Sequence, residues 1–162
     1  MFRELRRKEK QTDASRAARI LEEGAYGVLS TVCENGYPYG VPLQYVYRGG
    51  SIYFHCAVEG QKTDNILRDD RVSFLVVGRC DTLPAQFTTA YESVVVFGRA
   101  RFVNGEEKDE ALAALIAKYA PGHEQKGRTY IAKAGAKTTV VKIRPEHICG
   151  KERSGRSTPP EG

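Results

Sequence analysis

"AYGVLSTVCENGYPYGVPLQYVY", residues 25–47, is the stretch that decides the fold class. A β-rich run reaches Asn35-Gly36, a dipeptide typical of tight hairpin turns because both turn positions take positive φ. The run that returns from this turn alternates, so that Tyr39, Val41 and Leu43 share one face of a strand. The stretch therefore predicts an antiparallel β-hairpin.

The returning strand contains two prolines, Pro38 and Pro42. A proline has no backbone N–H and cannot donate to the hydrogen-bond ladder of a sheet. The prolines therefore predict that this strand has a free side, a bulge, or a ligand against it.

The rest of the chain predicts more strands and three helices. The helix at residues 12–24 has an apolar face of Ala14, Ala17, Ala18 and Leu21, and a short helix follows at 59–69. A helix at 105–120 has a stripe of Ala111, Leu112, Leu115, Ile116 and Tyr119, with Asn104 as its cap. The further strands lie in "SIYFHC", "RVSFLVV", "FTTAYESVVVFGRARFV" and "TTVVKIRPEHI". Strands joined by hairpins, with helices at the margins, favour a mostly antiparallel barrel or sandwich.

Length and charge indicate one domain with two tails. We predict a basic tail at residues 1–11, a domain at 12–151 and a disordered tail at 152–162. Of the net charge of +5, residues 1–10 carry +3, which leaves the body close to neutral and argues against a nucleic-acid partner. No apolar run approaches the ~20 residues that span a bilayer, so no membrane partner is expected and we predict a cytoplasmic protein. The four dispersed cysteines favour reduced thiols.

The junction "IYFHCAVEGQK", residues 52–62, is the strongest candidate site. Gly60, Gln61 and Lys62 begin the predicted short helix, where free backbone N–H groups and the positive end of the helix dipole favour a phosphate. His55 shares a strand face with Tyr53 and could lie over the same place. The alternative is a solvated helix start with an exposed lysine.

A metal site is not predicted. His55 and Cys56 are neighbours on a strand and point to opposite faces. His147 and Cys149 could share a face, but two ligands do not complete a zinc site. The tyrosines around residues 37–53 suggest a core or dimer interface, which leaves room for a planar ligand.

Residues 26–47, 51–66 and 91–100 together resemble the FMN-binding split-barrel family of pyridoxamine 5′-phosphate oxidase-like proteins, closest to its nitroimidazole-resistance branch. The resemblance covers roughly residues 12–151. It implies a six-stranded antiparallel split barrel that forms a homodimer with FMN at the subunit interface.

The resemblance also implies which residues contact the cofactor. The strand that runs along the flavin ring in the family is matched by Val41, Pro42 and Leu43, and the next contacting strand is matched by Phe54 and His55. The phosphate site is matched by Gln61 and Lys62. Ser93 matches a residue that contacts the ring. Within the nitroimidazole-resistance branch a histidine matches His55, which we predict to transfer a proton because imidazole titrates near neutral pH.

Two departures argue against pyridoxamine phosphate oxidation. Gly40 stands where the oxidases have a phosphate-binding arginine, and the final segment "EHICGKERSG" lacks their arginine- and histidine-bearing pattern. The hypothesis is therefore an FMN-dependent oxidoreductase that takes electrons from a donor such as a nicotinamide and reduces a small planar acceptor such as a nitro-aromatic. The alternatives are a non-catalytic flavin- or haem-binding carrier or sensor, and a nucleic-acid-binding barrel.

Overall fold

The computed structural model describes residues 2–154, apart from the side chains of Ala134 and Ala136. Most of the predicted C-terminal tail, residues 155–162, lies outside the described residues. The strands within this range are β1 (Gly27–Val32), β2 (Pro38–Leu43), β3 (Val46–Arg48), β4 (Ser51–Ala57), β5 (Arg71–Leu83), β6 (Thr88–Val103) and β7 (Thr138–Arg153). The helices are α1 (Ala14–Glu23), α2 (Gln61–Arg68), α3 (Gly105–Tyr119) and α4 (Glu124–Ala134), and none of these is long and apolar enough to cross a membrane.

The strands form one antiparallel sheet in the order β2-β1-β5-β6-β7-β4-β3, so β2 and β3 are its two edges. Only Gln44 and Tyr45 separate these two edges in sequence. If the sheet were flat, its edge strands would lie about 29 Å apart, at roughly 4.8 Å per strand. The three peptide units from Leu43 to Val46 reach about 11 Å at most. The sheet must therefore curl until the end of β2 lies near the start of β3, which produces a barrel whose two edge strands do not pair with each other.

The predicted split barrel is confirmed, with one difference in strand number. The sequence predicts six strands, whereas the structure has seven because the run 37–47 is not one continuous strand. Its first part, β2, pairs with β1, and its last part, β3, pairs with β4. The chain bends between them at Tyr45, which is fully buried.

The predicted hairpin turn at Asn35-Gly36 is confirmed, and a second tight turn joins β3 to β4. Gly36 has φ of 84° in the turn between β1 and β2, and Cys33 N–H donates to the Tyr37 carbonyl across it at 2.8 Å. Gly49 and Gly50 both have positive φ in the turn between β3 and β4. Glycine tolerates this conformation without the clash that a Cβ would introduce.

Apolar side chains form two clusters, one on each side of the sheet. The first lies inside the barrel under α1, and its largest members are Tyr45, Phe54, Phe74, Ile20, Leu21, Leu29 and Ile143. The second lies between the outside of the sheet and α3, and includes Val46, Val103, Leu112, Leu115 and Val140. The sheet is thus covered on both faces near β4 and β7, and this double covering fixes the site residues on β4.

The predicted faces of α1 and α3 are correct in part. Asp13 caps α1 by accepting a hydrogen bond from Arg16 N–H at 2.7 Å. Ala14 is exposed, contrary to the prediction, because α1 is rotated so that the larger Ile20 enters the core, where it removes more apolar area from water. On α3, Leu112 and its buried neighbours form the predicted stripe.

Tyr45 fixes the point where the chain passes from one sheet edge to the other. Its hydroxyl donates to the Leu21 carbonyl at 2.6 Å, and its ring packs edge-on against Phe74, with centroids 5.0 Å apart. Its backbone N–H donates to the Tyr119 hydroxyl at 3.1 Å, and that hydroxyl donates to the Tyr45 carbonyl at 2.8 Å. One side chain of α3 thus satisfies both backbone groups that the strand break leaves without ladder partners.

Lys118 makes a second connection between α3 and the same region. Its ammonium donates to the Gly24 carbonyl at the end of α1 at 2.8 Å and lies 4.3 Å from the centroid of the Tyr45 ring. Desolvation lowers the pKa of Lys118. The contact combines a charge-assisted hydrogen bond with a cation–π interaction.

Helix α4 is not predicted from the sequence. It follows α3 after a four-residue connection, 120–123, and the two helices form a hairpin over the outside of β4 and β7. The Lys108 ammonium holds the far end of this hairpin by donating to the carbonyls of Gly135 at 2.8 Å and Thr138 at 2.6 Å.

The predicted tails partly join the sheet. β7 continues to Arg153, and Gln11 forms a β-bridge with Lys151. Phe2 stacks on His147, with ring centroids 4.8 Å apart. The first residues therefore lie along β7.

Glu107, in the first turn of α3, joins this helix to three strands. Its carboxylate accepts hydrogen bonds from Lys142 at 2.9 Å, Tyr53 at 3.1 Å and Arg101 at 2.7 Å. Hydrogen bonds from Lys142 and Arg101, with a smaller one from Tyr53, lower the pKa of Glu107 to about 2.

Tyr119→Phe should lower the free energy of unfolding by about 1–3 kcal/mol, because it leaves the buried N–H and carbonyl of Tyr45 without partners. Urea unfolding followed by circular dichroism measures the change. Tyr37→Phe is the control, because Tyr37 is exposed in the first hairpin turn. Equal stability of the two variants would contradict the role assigned to Tyr119.

Glu107→Gln should destabilise the fold at neutral pH and have less effect in acid. The folded-state pKa lies below the ordinary value of 4.5, so the ionised carboxylate stabilises the fold above that pH. This contribution is lost as the pH falls towards the folded-state pKa. Urea unfolding at about pH 7 and about pH 3 tests this, with exposed Glu106→Gln as control. A difference from wild type that is the same at both pH values would rule out the assigned hydrogen bonds.

Candidate functional site

The end of β4 and the start of α2 form the junction that the sequence singles out. Three residues, 58–60, connect them, and Gly60 has φ of 139°, a conformation open to glycine and strained for other residues. Gly60 occupies the N-cap position of α2, and no side chain caps the helix there. The first backbone N–H groups of α2 are thus available to an anion, and the dipole of the helix favours negative charge there.

Gln61 and Lys62 occupy the first turn of α2. The Gln61 side chain donates to Asn65 at 2.9 Å, so its amide is already oriented along the helix. Lys62 is half-buried, and its ammonium lies close enough to the Cys56 thiol to oppose the rise in the pKa of that thiol that burial causes. The Lys62 ammonium therefore lies near the end of β4.

His55 lies on the other side of β4. Side chains alternate along the strand, so Phe54 and Cys56 are buried in the barrel, while His55 faces outward towards the α3–α4 hairpin. Partial burial there lowers the pKa of His55, which keeps the imidazole neutral at neutral pH. Because the Phe54 ring is fully buried, only the backbone of this predicted cofactor residue is available to a ligand.

The predicted ring-contacting strand is brought close to His55 by the closure of the barrel. β2 is an edge strand, paired only with β1, which confirms the free side predicted from its prolines. Pro42 is exposed, while Val41 and Leu43 pack partly against the core. Gln44, the residue after Leu43, lines the same cavity as His55.

Ser93 does not lie near His55 within one chain. It lies on β6 and pairs with Val77 and Lys151. His55 pairs with Val140, and Val140 pairs with Val103 at the other end of β6. The ten residues between Val103 and Ser93 correspond to about 30 Å along the strand. Ser93 and His55 could therefore approach one cofactor only if they came from different subunits.

A cavity of about 270 Å³ lies between His55 and the α3–α4 hairpin. Its wall includes Leu115, Ile116 and Tyr119 of α3 and Ile131 of α4. Sequence analysis missed this cavity because it did not predict α4. Lys62 is not among the residues that line this cavity.

His147 and Cys149 lie on β7, where they pair with Phe97 and Val95. Both are half-buried on the outer face of the sheet. Within residues 2–154, no three His, Cys, Asp or Glu side chains come together as a metal site requires.

Solved structures share this fold at low sequence identity. A conserved hypothetical protein from Mycobacterium tuberculosis is 20% identical, with a TM-score of 0.80 over 96% of this chain and 99% of that one. A candidate 5-nitroimidazole antibiotic resistance protein from Bacteroides thetaiotaomicron is 21% identical, with a TM-score of 0.70 over 86% of this chain and 83% of that one. An FAD- and haem-binding protein from Mycobacterium smegmatis is 18% identical, with a TM-score of 0.78 over 90% of this chain and 74% of that one.

No curated protein matches the chain. The sequence model of the pyridoxamine 5′-phosphate oxidase family matches residues 13–152, which include every strand and helix described above except the last residue of β7. The chain therefore belongs to the pyridoxamine 5′-phosphate oxidase family.

Proposed function

We propose that the protein is an FMN-dependent oxidoreductase that reduces a small planar acceptor, such as a nitro-aromatic compound. The observation that carries the proposal is the junction at residues 55–62. An uncapped helix start with a lysine lies at the end of the strand that carries His55, beside the free edge of β2. The helix start with Lys62 would anchor a phosphate, the edge of β2 would provide a surface for a planar ring, and His55 would exchange a proton.

The residues present fit FMN. The N–H groups at the start of α2 and the Lys62 ammonium would hold the phosphate, because both present positive charge in a place where Gly60 has no side chain to block approach. The edge formed by Val41, Pro42 and Leu43 would lie along the isoalloxazine ring. Lys62 provides a point charge where an arginine would provide a bidentate clamp, so we expect modest affinity.

When bound, FMN would accept electrons from a donor such as a nicotinamide and pass them to the acceptor. His55 would supply or take up a proton at a ring nitrogen, because its imidazole is neutral at neutral pH and is exposed where it lines the cavity. The α3–α4 hairpin would exclude water from one side of this imidazole.

We propose that the active form is a homodimer with FMN at the subunit interface. Ser93 is too far from His55 to reach the same cofactor within one chain. Around Ser93 the sheet exposes apolar side chains, with Val77 43% exposed and Phe97 37% exposed. Exposed apolar side chains grouped on one face are typical of subunit interfaces.

A non-catalytic carrier or sensor of flavin or haem is the second candidate. His147 and Cys149 face the same side of β7 and offer two possible iron ligands. One of the structurally similar proteins binds both FAD and haem. A Soret band after addition of haem, without any flavin turnover, would favour this candidate.

An absorption titration with FMN, followed by desalting, tests the proposal. We expect close to one flavin per chain, reduction of its visible band by NADH or NADPH, and reoxidation by a nitro-aromatic compound. A protein that retains no flavin would overturn the proposal. Retained flavin that no acceptor reoxidises faster than oxygen alone would leave a flavin carrier instead of an enzyme.

Lys62→Ala should weaken FMN binding by about 1–3 kcal/mol, the scale of a lost charge-assisted hydrogen bond. Fluorescence quenching of free FMN measures the Kd. Lys133→Ala, which removes an exposed lysine from α4, is the matched control and should leave the Kd unchanged. If both variants bind FMN as the wild type does, Lys62 is not part of the phosphate site.

His55→Ala should retain FMN and slow turnover, because it removes the proton-transferring group without removing the phosphate anchor. The Kd for FMN and kcat for the nitro-aromatic acceptor are measured together. Loss of flavin would show that His55 anchors the cofactor, and unchanged kcat would remove it from the reaction.

A further inference from the structure

We infer that the cavity between β4 and the α3–α4 hairpin binds a small, uncharged aromatic molecule, and that this molecule is the electron acceptor. The role as acceptor rests on the proposed function, whereas binding to the cavity does not. The cavity opens beside His55 and Gln44, so a ligand inside it would lie next to the proposed proton-transferring group.

The size of the cavity limits the ligand to one or two rings. A volume of about 270 Å³ exceeds the roughly 150 Å³ of an apolar cavity that binds benzene. It falls below the range of about 300–1,000 Å³ that holds drug-sized ligands and cofactors. The cavity is therefore too small to enclose FMN, and it is a site distinct from the phosphate anchor at Lys62.

The lining excludes charged ligands. The walls from α3 and α4 are apolar apart from the hydroxyls of Tyr119 and Tyr130, and among the described residues that line the cavity none carries a charge except His55 when protonated. Burial lowers the pKa of His55, so this group is neutral as well. A charged ligand would lose its hydration without gaining an ion pair, which is strongly unfavourable.

Besides Tyr119, four polar side chains line the cavity, those of Gln44, His55, Tyr130 and Thr138. The Tyr119 hydroxyl is already engaged with both backbone groups of Tyr45. Gln44 and His55 also line the cavity, and within the described chain neither makes a side-chain hydrogen bond. They can pair with one polar substituent of a ligand whose ring lies against Leu115 and Ile116. The preferred ligand is an uncharged aromatic ring with at least one hydrogen-bonding substituent.

A glycine in α4 lets the two helices of the hairpin pack closely and leaves the cavity between them unfilled. Gly127 lies in the interior of α4, where glycine is less favourable than alanine. A Cβ at this position would lie 2.6 Å from Ile116 Cδ1, so a larger residue would push the two helices apart. Glycine permits the close approach of α4 to α3 and adds no side chain to the cavity that it lines.

Indole is the probe that tests this inference, with benzoate as a charged aromatic control. Saturation-transfer NMR and isothermal titration should show saturable binding of indole to the flavin-free wild type, and at least tenfold weaker binding of benzoate. Ala120→Leu fills the cavity and should weaken indole binding at least tenfold. Ala132→Leu makes the same change on the exposed side of α4 and should leave it unchanged.

A second measurement needs no variant. Indole should shift the methyl resonances of Leu115 and Ile131 and leave those of Val77, on the opposite part of the sheet, unchanged. Absence of saturable indole binding, or shifts at Val77 alone, would overturn the inference.

The FMN titration separates this inference from the proposed function. Ala120→Leu should bind FMN as the wild type does, because Ala120 is not among the residues proposed to hold FMN. Indole binding to a chain that never retains flavin would support the cavity and overturn the flavoenzyme. Flavin binding without indole binding would support the flavoenzyme and overturn the ligand-binding cavity.

Discussion

The two-residue passage from β2 to β3 is the constraint on which the rest of the structure depends. Gln44 and Tyr45 must join the two outermost strands of a seven-stranded sheet, so the sheet can form only if it curls. Curling creates the interior that Phe54 and Phe74 fill. It also brings the end of β2 to the side of β4, which is how Gln44 and His55 come to line one cavity.

The bend between β2 and β3 leaves the backbone N–H and carbonyl of Tyr45 without hydrogen-bond partners in the sheet, and α3 supplies those partners. Tyr119 bonds to both backbone groups of Tyr45, and Lys118 lies over the Tyr45 ring. The helix that completes the barrel closure is also the helix that forms one wall of the cavity. Stability and site geometry therefore depend on the same few contacts.

The sequence predicts the local features well and the tertiary ones poorly. Asn35-Gly36, Asp13 and the alternation through Val41 each act on neighbouring residues, so the hairpin, the helix start and the strand face follow from them. The division of residues 37–47 into two strands depends on pairing with β1 and β4, which no local pattern encodes. Helix α4 escaped prediction because Gly127 and its polar neighbours suggest a loop, and packing against Ile116 decides otherwise. The resemblance named Val41, His55 and Lys62, and the helical stripe named Tyr119, while the role of Gln44 and the contacts of Tyr119 with the Tyr45 backbone emerge only from the curled sheet.

The α3–α4 hairpin would contact the bound aromatic ligand, whereas the strands and the start of α2 would hold the cofactor. Ligand binding and cofactor binding therefore fall largely to different residues. The hairpin is held at its ends, by Tyr119 on one side and by the Lys108 contacts to Gly135 and Thr138 on the other. The residues between these attachments, 120–134, form one wall of the cavity and take no part in the strand pairing of the sheet. A substitution there that the packing against Ile116 tolerates would therefore change the shape of the cavity and leave the register of the barrel strands unaltered.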